Sequence, residues 1–326
     1  MKRATDRIIV TGAAGFIGRN VVAELNGRGT SNLILCDSLG VDEKWKNLRG
    51  LQYEDLIQPE DFVSKLEQGL FKDAVAIVHL GACSATTEKN ADFLLENNYR
   101  FTRRLCEYSL ATDTRFIYAS SAATYGDGGN GYDDSDDVTP GLHPLNMYGY
   151  SKHMFDLWAL ATGALAKIVG LKYFNVFGPY EDHKGDMKSV IAKSYKQIGE
   201  EGRVKLFKSY VDKYPDGGQM RDFVYVKDVV DVTLSFLENP ASGLFNCGTG
   251  QARTWKDLAT AVFNAMKKPV VIDYVEMPET LRGKYQYFTE ARMGKLRAAG
   301  YTKPFTSLED GVADYVSTYL SQQKPE

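Results

Sequence analysis

Two patterns alternate along the first half of the chain. Unbroken apolar runs begin at Arg7 (RIIVTG), Asn32 (NLILCDS), Ala74 (AVAIVHLGA), Arg115 (RFIYASS) and Ala166 (AKIVGLKYFNVFG). Between most of them lie stretches such as FIGRNVVAELNGRG from Phe16, with apolar residues at helical spacing. Runs apolar at every position are strands buried on both faces, and strands separated by helices pair in parallel. The pattern predicts an α/β protein with a doubly wound parallel sheet. After residue 178 the rhythm breaks into polar, charged chain as far as residue 221, and then RDFVYVKDV and GLFNCGTG read again as buried strands. The expected division is interleaved: 1–178 and 222–251 form a large nucleotide-binding domain, and 179–221 with 252–326 form a smaller substrate-binding domain. The acidic stretch YGDGGNGYDDSDD, residues 125–137, lacks the full calcium-loop pattern and is expected to be a solvated loop.

Composition narrows the class of partner. With 326 residues, 44% of them hydrophobic, the chain can bury a large core, and a net charge of −3 leaves no basic footprint for nucleic acid or an anionic membrane. A small-molecule partner is expected. The four cysteines, Cys36, Cys83, Cys106 and Cys247, show neither zinc nor redox spacing. That favours a reducing compartment. The apolar run after the basic start MKRATDR is too short for a signal peptide, and no segment reaches the length of a membrane span, so a soluble cytoplasmic protein is expected.

The first turn carries the first sign of chemistry. VTGAAGFIG follows the first strand and opens the first helix, as a dinucleotide-binding loop does. Gly12 permits the tight turn, Gly15 the close approach of a pyrophosphate, and Gly18 the packing of helix on strand, while the helix start offers free N–H groups to phosphate. At the end of the second strand Asp37 is placed for an adenosine ribose. Its charge favours NAD over NADP, but Lys44, with Lys46 close behind, could neutralise a 2′-phosphate, so the residues alone leave NAD and NADP open.

NMYGYSKHMF, residues 146–155, carries the second sign. On a helix, residues four apart share a face and residues two apart do not. Tyr148 therefore pairs with Lys152, and Tyr150 looks elsewhere. A lysine beside a phenol is expected to lower the phenol's pKa from about 10 toward neutrality. Ser121 ends a predicted strand, where open sheets hold their ligands, and its hydroxyl can bind a substrate oxygen while Tyr148 exchanges a proton.

Together the strand-end serine, Tyr-x-x-x-Lys and the glycine loop resemble the extended short-chain dehydrogenase/reductase superfamily. The segments HLGACSATTE, ENNYRFT, YASSAATYG, YGYSK, KYFNVFGP, HKGDM, RDFVYVKDV, FNCGTG and GKYQ narrow the resemblance to the ADP-L-glycero-D-manno-heptose 6-epimerase family. That resemblance implies a Rossmann-like domain with a small α/β substrate domain, a tightly held NADP, a homo-oligomer (a pentamer in that family) and an ADP-heptose substrate for lipopolysaccharide precursor synthesis. It implies that Ser121, Tyr148, Lys152 and Lys184 are catalytic, Lys184 of HKGDM being a second acid/base. Cofactor contacts are implied at Gly12, Gly15, Phe16, Ile17, Gly18, Asp37, Ser38, Lys44, Asn97, Lys152, Val176 and Lys184, and along Leu80, Gly81, Ala82, Cys83 and Ser84. Substrate contacts are implied at Ser84, Asn175, Asp186, Lys193, Phe207, Arg221 and Tyr285. Two positions depart from the family pattern: Pro59 stands where a second cofactor-facing lysine is expected, and Asp186 replaces a small hydroxyl residue.

Physical reasons stand beside two of these roles. Inverting a carbon by oxidation and re-reduction requires proton exchange on two faces of a ketone, which gives Lys184 a use beyond that of an ordinary loop lysine. The planar fork of Arg221 suits a diphosphate, although an ion pair with Asp222 or another carboxylate would also explain it. A 4,6-dehydratase would need an Asp-Glu pair just after the strand-end hydroxyl, where this chain reads SSAAT. A dinucleotide sensor without catalysis would have no need of the tyrosine and lysine. The four histidines show no metal-ligand spacing, no G-x-S-x-G elbow is present, and His79 in its apolar strand is expected to be a satisfied core residue.

Overall fold

A computed structural model describes residues 6–282 and 285–322. Its large sheet contains β1 (Arg7–Thr11), β2 (Leu33–Cys36), β3 (Asp55–Ile57), β4 (Ala74–His79), β5 (Arg115–Ser121), β6 (Val169–Tyr173) and, late in the chain, Gly243–Cys247, which is β10. Intervening helices are α1 (Phe16–Gly27), α2 (Pro59–Glu67), α3 (Ala91–Leu94), α4 (Phe101–Thr112) and α5 (Met147–Ala161). All seven strands are parallel, in the order β10-β6-β5-β4-β1-β2-β3. β1, β4 and β5 are buried nearly throughout, because Ile, Val and Ala on both faces meet helices on both sides. The fold is a Rossmann-like doubly wound α/β fold.

The segment AKIVGLKYFNVFG is not one strand. β6 stops at Tyr173, and β7 (Asn175–Phe177) belongs to a three-stranded sheet with β9 (Met220–Tyr225) and β11 (Ala252–Thr254), in the order β11-β9-β7. Among the described residues β8 (Val204–Phe207) pairs only with β12 (Ile272–Val275). RDFVYVKDV therefore leaves the large sheet even though its residues read like the other core strands: β9 is buried by α11 (Leu308–Thr318) and by α7 (Val226–Ser235), which also lies against α1. The remaining helices are α6 (Val190–Glu201), α8 (Trp255–Ala265), α9 (Glu279–Arg282) and α10 (Gly294–Ala298).

The acidic loop at 125–137 is anchored inward rather than solvated throughout. Tyr125, Tyr132 and Asp134 are buried. Asn246 on β10 explains why: it accepts the Tyr125 hydroxyl at 2.7 Å and donates to the Asp134 carboxylate and the Tyr132 carbonyl. Burial without those bonds would strand several polar groups. Among the described residues no helix is long and apolar enough to cross a membrane.

Candidate active site

Strand order reverses between β1 and β4, and ligands of open α/β sheets lie at the carboxyl ends of the strands beside such a reversal. A cavity of about 650 Å³ occupies that place. Its floor is the glycine turn. Gly12 has φ +67°, and a Cβ there would sit 2.6 Å from the Gly81 nitrogen, so the turns after β1 and β4 can touch only as glycines. A Cβ on Gly18 would sit 2.0 Å from the Gly12 oxygen. No side chain caps α1 at Gly15, which leaves first-turn N–H groups for a ligand. At the other end Asp37 is buried, accepting the Ala14 N–H at 2.8 Å and the Lys44 ammonium at 2.6 Å. Lys44 also donates to the Ser38 carbonyl. A bare backbone cradle with a carboxylate and a lysine at one end fits a dinucleotide.

The wall from Leu80 to Ser84 is set from behind. Residues 95–100 form one π-helical turn between α3 and α4, a feature common at functional sites. It turns Asn98 inward, where Asn98 accepts the Cys83 N–H, donates to the Cys83 carbonyl (both 2.9 Å) and donates to Ser151 on α5. Asn97 does not line the cavity and donates to the Asn98 side chain. Sequence reasoning missed Asn98, since a buried clamp and a ligand contact look alike in ENNYRFT.

Asn146 caps α5 by accepting the Gly149 N–H, and from that start Tyr148 and Lys152 both face the cavity while Tyr150 is 48% exposed. Ser121, the last residue of β5, lines the same space; its oxygen accepts the Ala123 N–H, leaving its proton free to donate. One expectation needs correction. Lys152 Nζ donates to the Ala119 carbonyl at 2.8 Å, and the Tyr148 phenol lies above its ordinary pKa because burial outweighs the help of the Ser121 hydroxyl. Lys152 itself is pushed down to about 8 by burial, with Asp156 pulling the other way.

Lys184 reaches the cavity from the short helical turns at 182–187, where Gly185 adopts φ +50°. Its ammonium stands 5.0 Å over the Phe16 ring and 3.9 Å from Glu181. Burial lowers the Lys184 pKa, and Glu181 raises it. Glu181 is fully buried and accepts the Ser189 N–H, the Ser189 hydroxyl and the Tyr315 hydroxyl. Asn47 joins this loop to the glycine turn, donating to the Ala14 carbonyl and bonding the His183 ring nitrogen.

Asn175 and Val176 line the cavity, whereas Asp186, Lys193, Phe207, Arg221 and Tyr285 do not. Asp186 accepts the Lys193 ammonium through its backbone oxygen. The other three sit beyond Trp255, which lines the cavity. Arg221 lies 5.7 Å from the Trp255 ring and 5.3 Å from that of Tyr285, and Tyr285 packs edge-on to Phe207. The ion pair with Asp222 does not form: the Asp222 oxygens are taken by Thr249, Gly250 and Ala291. Arg221 is buried, donating to the Met220 carbonyl, which leaves most of its fork for an anion. Gly283 and Lys284 of GKYQ lie outside the described residues. His183, Phe223 and Trp255 also line the cavity; His183 and Phe223 lie within HKGDM and RDFVYVKDV, but neither segment singled them out, and Trp255 carried no signal. His79 is bonded on both ring nitrogens, to Thr11 and Thr102, and burial holds it neutral.

The profile of the NAD dependent epimerase/dehydratase family matches residues 8–248. An ADP-L-glycero-D-manno-heptose-6-epimerase of Nitratidesulfovibrio vulgaris is 57% identical over 319 residues, 97% of this chain and 99% of that protein. The enzyme of that name from Fusobacterium nucleatum is 48% identical over 97% of this chain and 98% of its own length. Among solved structures, the Helicobacter pylori ADP-L-glycero-D-manno-heptose-6-epimerase superposes with a TM-score of 0.79 at 26% identity, covering 98% of each chain. The chain belongs to the NAD dependent epimerase/dehydratase family and, within it, to the ADP-L-glycero-D-manno-heptose-6-epimerases.

Proposed function

We propose that the protein interconverts ADP-D-glycero-D-manno-heptose and ADP-L-glycero-D-manno-heptose at C6 through a transient 6-ketone, with a resident NADP. The observation that carries this reading is one cavity lined by the glycine turn, by Ser121, Tyr148 and Lys152, and by Lys184 from a separate loop. A bound nicotinamide dinucleotide supplies hydride removal from C6 and its return, so no external reductant is consumed. The protein's own groups do the rest. Ser121 donates to the C6 oxygen, and Tyr148 takes the hydroxyl proton once positive charge brought beside it, from Lys152 and from an oxidised dinucleotide when bound, offsets the burial that holds the phenol protonated. After the ketone turns to present its other face, Lys184 donates the proton that the new alkoxide requires, and exchange with solvent then returns a proton to Lys184 and removes the one on Tyr148.

Lys44 supports NADP over NAD, because its ion pair with Asp37 cancels the repulsion that a 2′-phosphate would meet there. The groups that surround Arg221 form the diphosphate end, within a substrate-binding unit made of 179–221 and 252–326. A homo-oligomer, a cytoplasmic location and a place in lipopolysaccharide precursor synthesis belong to the same reading. The test is incubation of the purified protein with ADP-D-glycero-D-manno-heptose, followed by proton NMR at C6, with mass spectrometry of the dinucleotide released by mild denaturation. Formation of the L-glycero epimer without added reductant is expected. Elimination of water, or no conversion by a protein carrying its dinucleotide, would overturn the reading.

A further inference from the structure

Behind the strand-end serine lies a charged pair that the reaction above does not use. Lys172 on β6 and Asp156 on α5 are both fully buried. Asp156 accepts the Tyr118 hydroxyl at 2.8 Å and the Ser120 hydroxyl at 2.7 Å. Lys172 Nζ stands 3.9 Å from the same carboxylate and 4.5 Å from the centre of the Tyr125 ring, and it has no hydrogen-bond acceptor. A buried ammonium without an acceptor is costly, and well-packed apolar side chains of similar volume often stabilise a core as well as a buried ion pair does. Stability is therefore a poor reason for these two residues.

Their position offers a better one. Asp156 lies one helical turn beyond Lys152, and Ser120, which it binds, lies between Ala119, the acceptor for Lys152, and Ser121. The carboxylate thus ties the strand end carrying Ser121 to the helix carrying Tyr148. We propose that the buried Asp156–Lys172 pair positions and charge-balances Lys152, Asp156 holding the strand end that carries the Ala119 acceptor and Lys172 offsetting the field of that carboxylate. This rests on the reading of Tyr148 and Lys152 as the proton-transfer groups.

The charges around each member give the signs. Burial lowers the Lys152 pKa; Asp156 is the foremost group raising it, followed by Cys83, and neutral His79 on β4 adds no charge. Lys172 is lowered by burial, raised by Asp156 and Asp134 and lowered again by Lys295, with the neighbouring His153 ring also held down by burial. Removing the Asp156 charge should make Lys152 lose its proton at lower pH. Removing Lys172 leaves Asp156 unopposed and should do the reverse.

The experiment is the pH dependence of epimerisation kcat for the parent, Asp156→Asn, Lys172→Met, the double variant and Lys172→Arg, each checked for folding by circular dichroism and thermal melting. The alkaline limb is expected to move down by about one pH unit in Asp156→Asn and up in Lys172→Met, to fall between these in the double variant and to stay near the parent in Lys172→Arg. If Asp156→Asn does not fold because it strands Lys172, the double variant against Lys172→Met carries the comparison, with the double expected at the lower pH. Folded variants with unmoved limbs, or limbs that move in the same direction in both single variants, would overturn the proposal and reduce the pair to packing. Near-parent turnover by Tyr148→Phe would instead remove the reading beneath it, and the two failures are distinguishable because that variant leaves Asp156 and Lys172 in place.

Discussion

The two sides of the cleft to which we assign proton transfer are built by different means. Ser121, Tyr148 and Lys152 stand on regular elements, the end of β5 and the first turns of α5, and α5 is fixed by its Asn146 cap. Lys184 stands on a short helical turn interrupted by Gly185, and what places it is tertiary: buried Glu181, itself gripped by Ser189 at the start of α6 and Tyr315 on α11. The first side inherits its geometry from helix and strand periodicity. The second depends on elements far away in sequence, so changes in α6 or α11 reach the Lys184 side and should leave the Tyr148 side alone.

The largest effect expected on the regular side is that of Tyr148→Phe. Loss of a general acid/base group costs roughly 10²- to 10⁴-fold in rate. The phenol contributes little to dinucleotide affinity, so kcat should collapse while the dinucleotide co-purifies in parent amounts, measured by its release and absorbance. A Tyr148→Phe variant that lost its dinucleotide as well would show that this side binds as much as it reacts.

Lys184→Met is the matching cut on the loop side and should stop epimerisation about as thoroughly. The two sides separate with a 6-aldehyde analogue of the substrate, which can be oxidised and reduced without inversion at a chiral carbon. Each single variant should retain some of that dismutation and the double variant should lose it, read by product ratios on NMR. Near-normal epimerisation by Lys184→Met would mean that Tyr148 serves both faces, and the comparison would then be one between a site and its wall.

The same contrast explains what could be read in the sequence. The parallel sheet was legible because β2 is apolar throughout and β1, β4 and β5 have unbroken apolar centres, whereas β3 carries no such run; the glycine turn was legible because Gly12 and Gly18 have no room for a Cβ. β9 was legible as a buried strand but its sheet was not: burial makes FVYV apolar whichever sheet receives it, and only the antiparallel pairing with β11 and the parallel pairing with β7 decide its sheet. The spacing of Tyr148 and Lys152 fixed their shared face but not the ammonium's partner, the Ala119 carbonyl, which comes from a strand some thirty residues earlier. Lys184, Arg221 and Tyr285 were reachable only through family resemblance. Asn98 and Asp156 make buried hydrogen bonds between elements and Lys172 stands beside the Asp156 carboxylate, and no local pattern marks those.

A smaller effect is expected at the adenosine end. Lys44→Ala leaves Asp37 without its ion pair, restoring repulsion toward a 2′-phosphate while leaving the Ala14 contact intact. Affinity for NADP should fall by about tenfold relative to NAD, which corresponds to about 1.4 kcal/mol, and competition titration of the dinucleotide-stripped protein measures it. An unchanged ratio would place the choice of dinucleotide with other residues, and Lys44 would serve only to close the loop over Asp37.

The smallest effect belongs to Tyr150, and it tests the periodicity argument most directly. Tyr150 lies two residues from Tyr148 and two from Lys152, so on α5 it must point away from both. It is 48% exposed, whereas Tyr148 lines the cavity. Tyr150→Phe removes an exposed hydroxyl and leaves the α5 start unchanged, since the Asn146 cap bonds the backbone of Gly149. Epimerisation kcat and KM should stay within about twofold of the parent, and stability should change by less than about 0.5 kcal/mol, as for surface substitutions away from special features. Steady-state kinetics and a thermal melt on the same preparation check both. A loss at Tyr150 approaching that at Tyr148 would mean that the helix presents a different face to substrate, and the assignment of the regular side would fail with it.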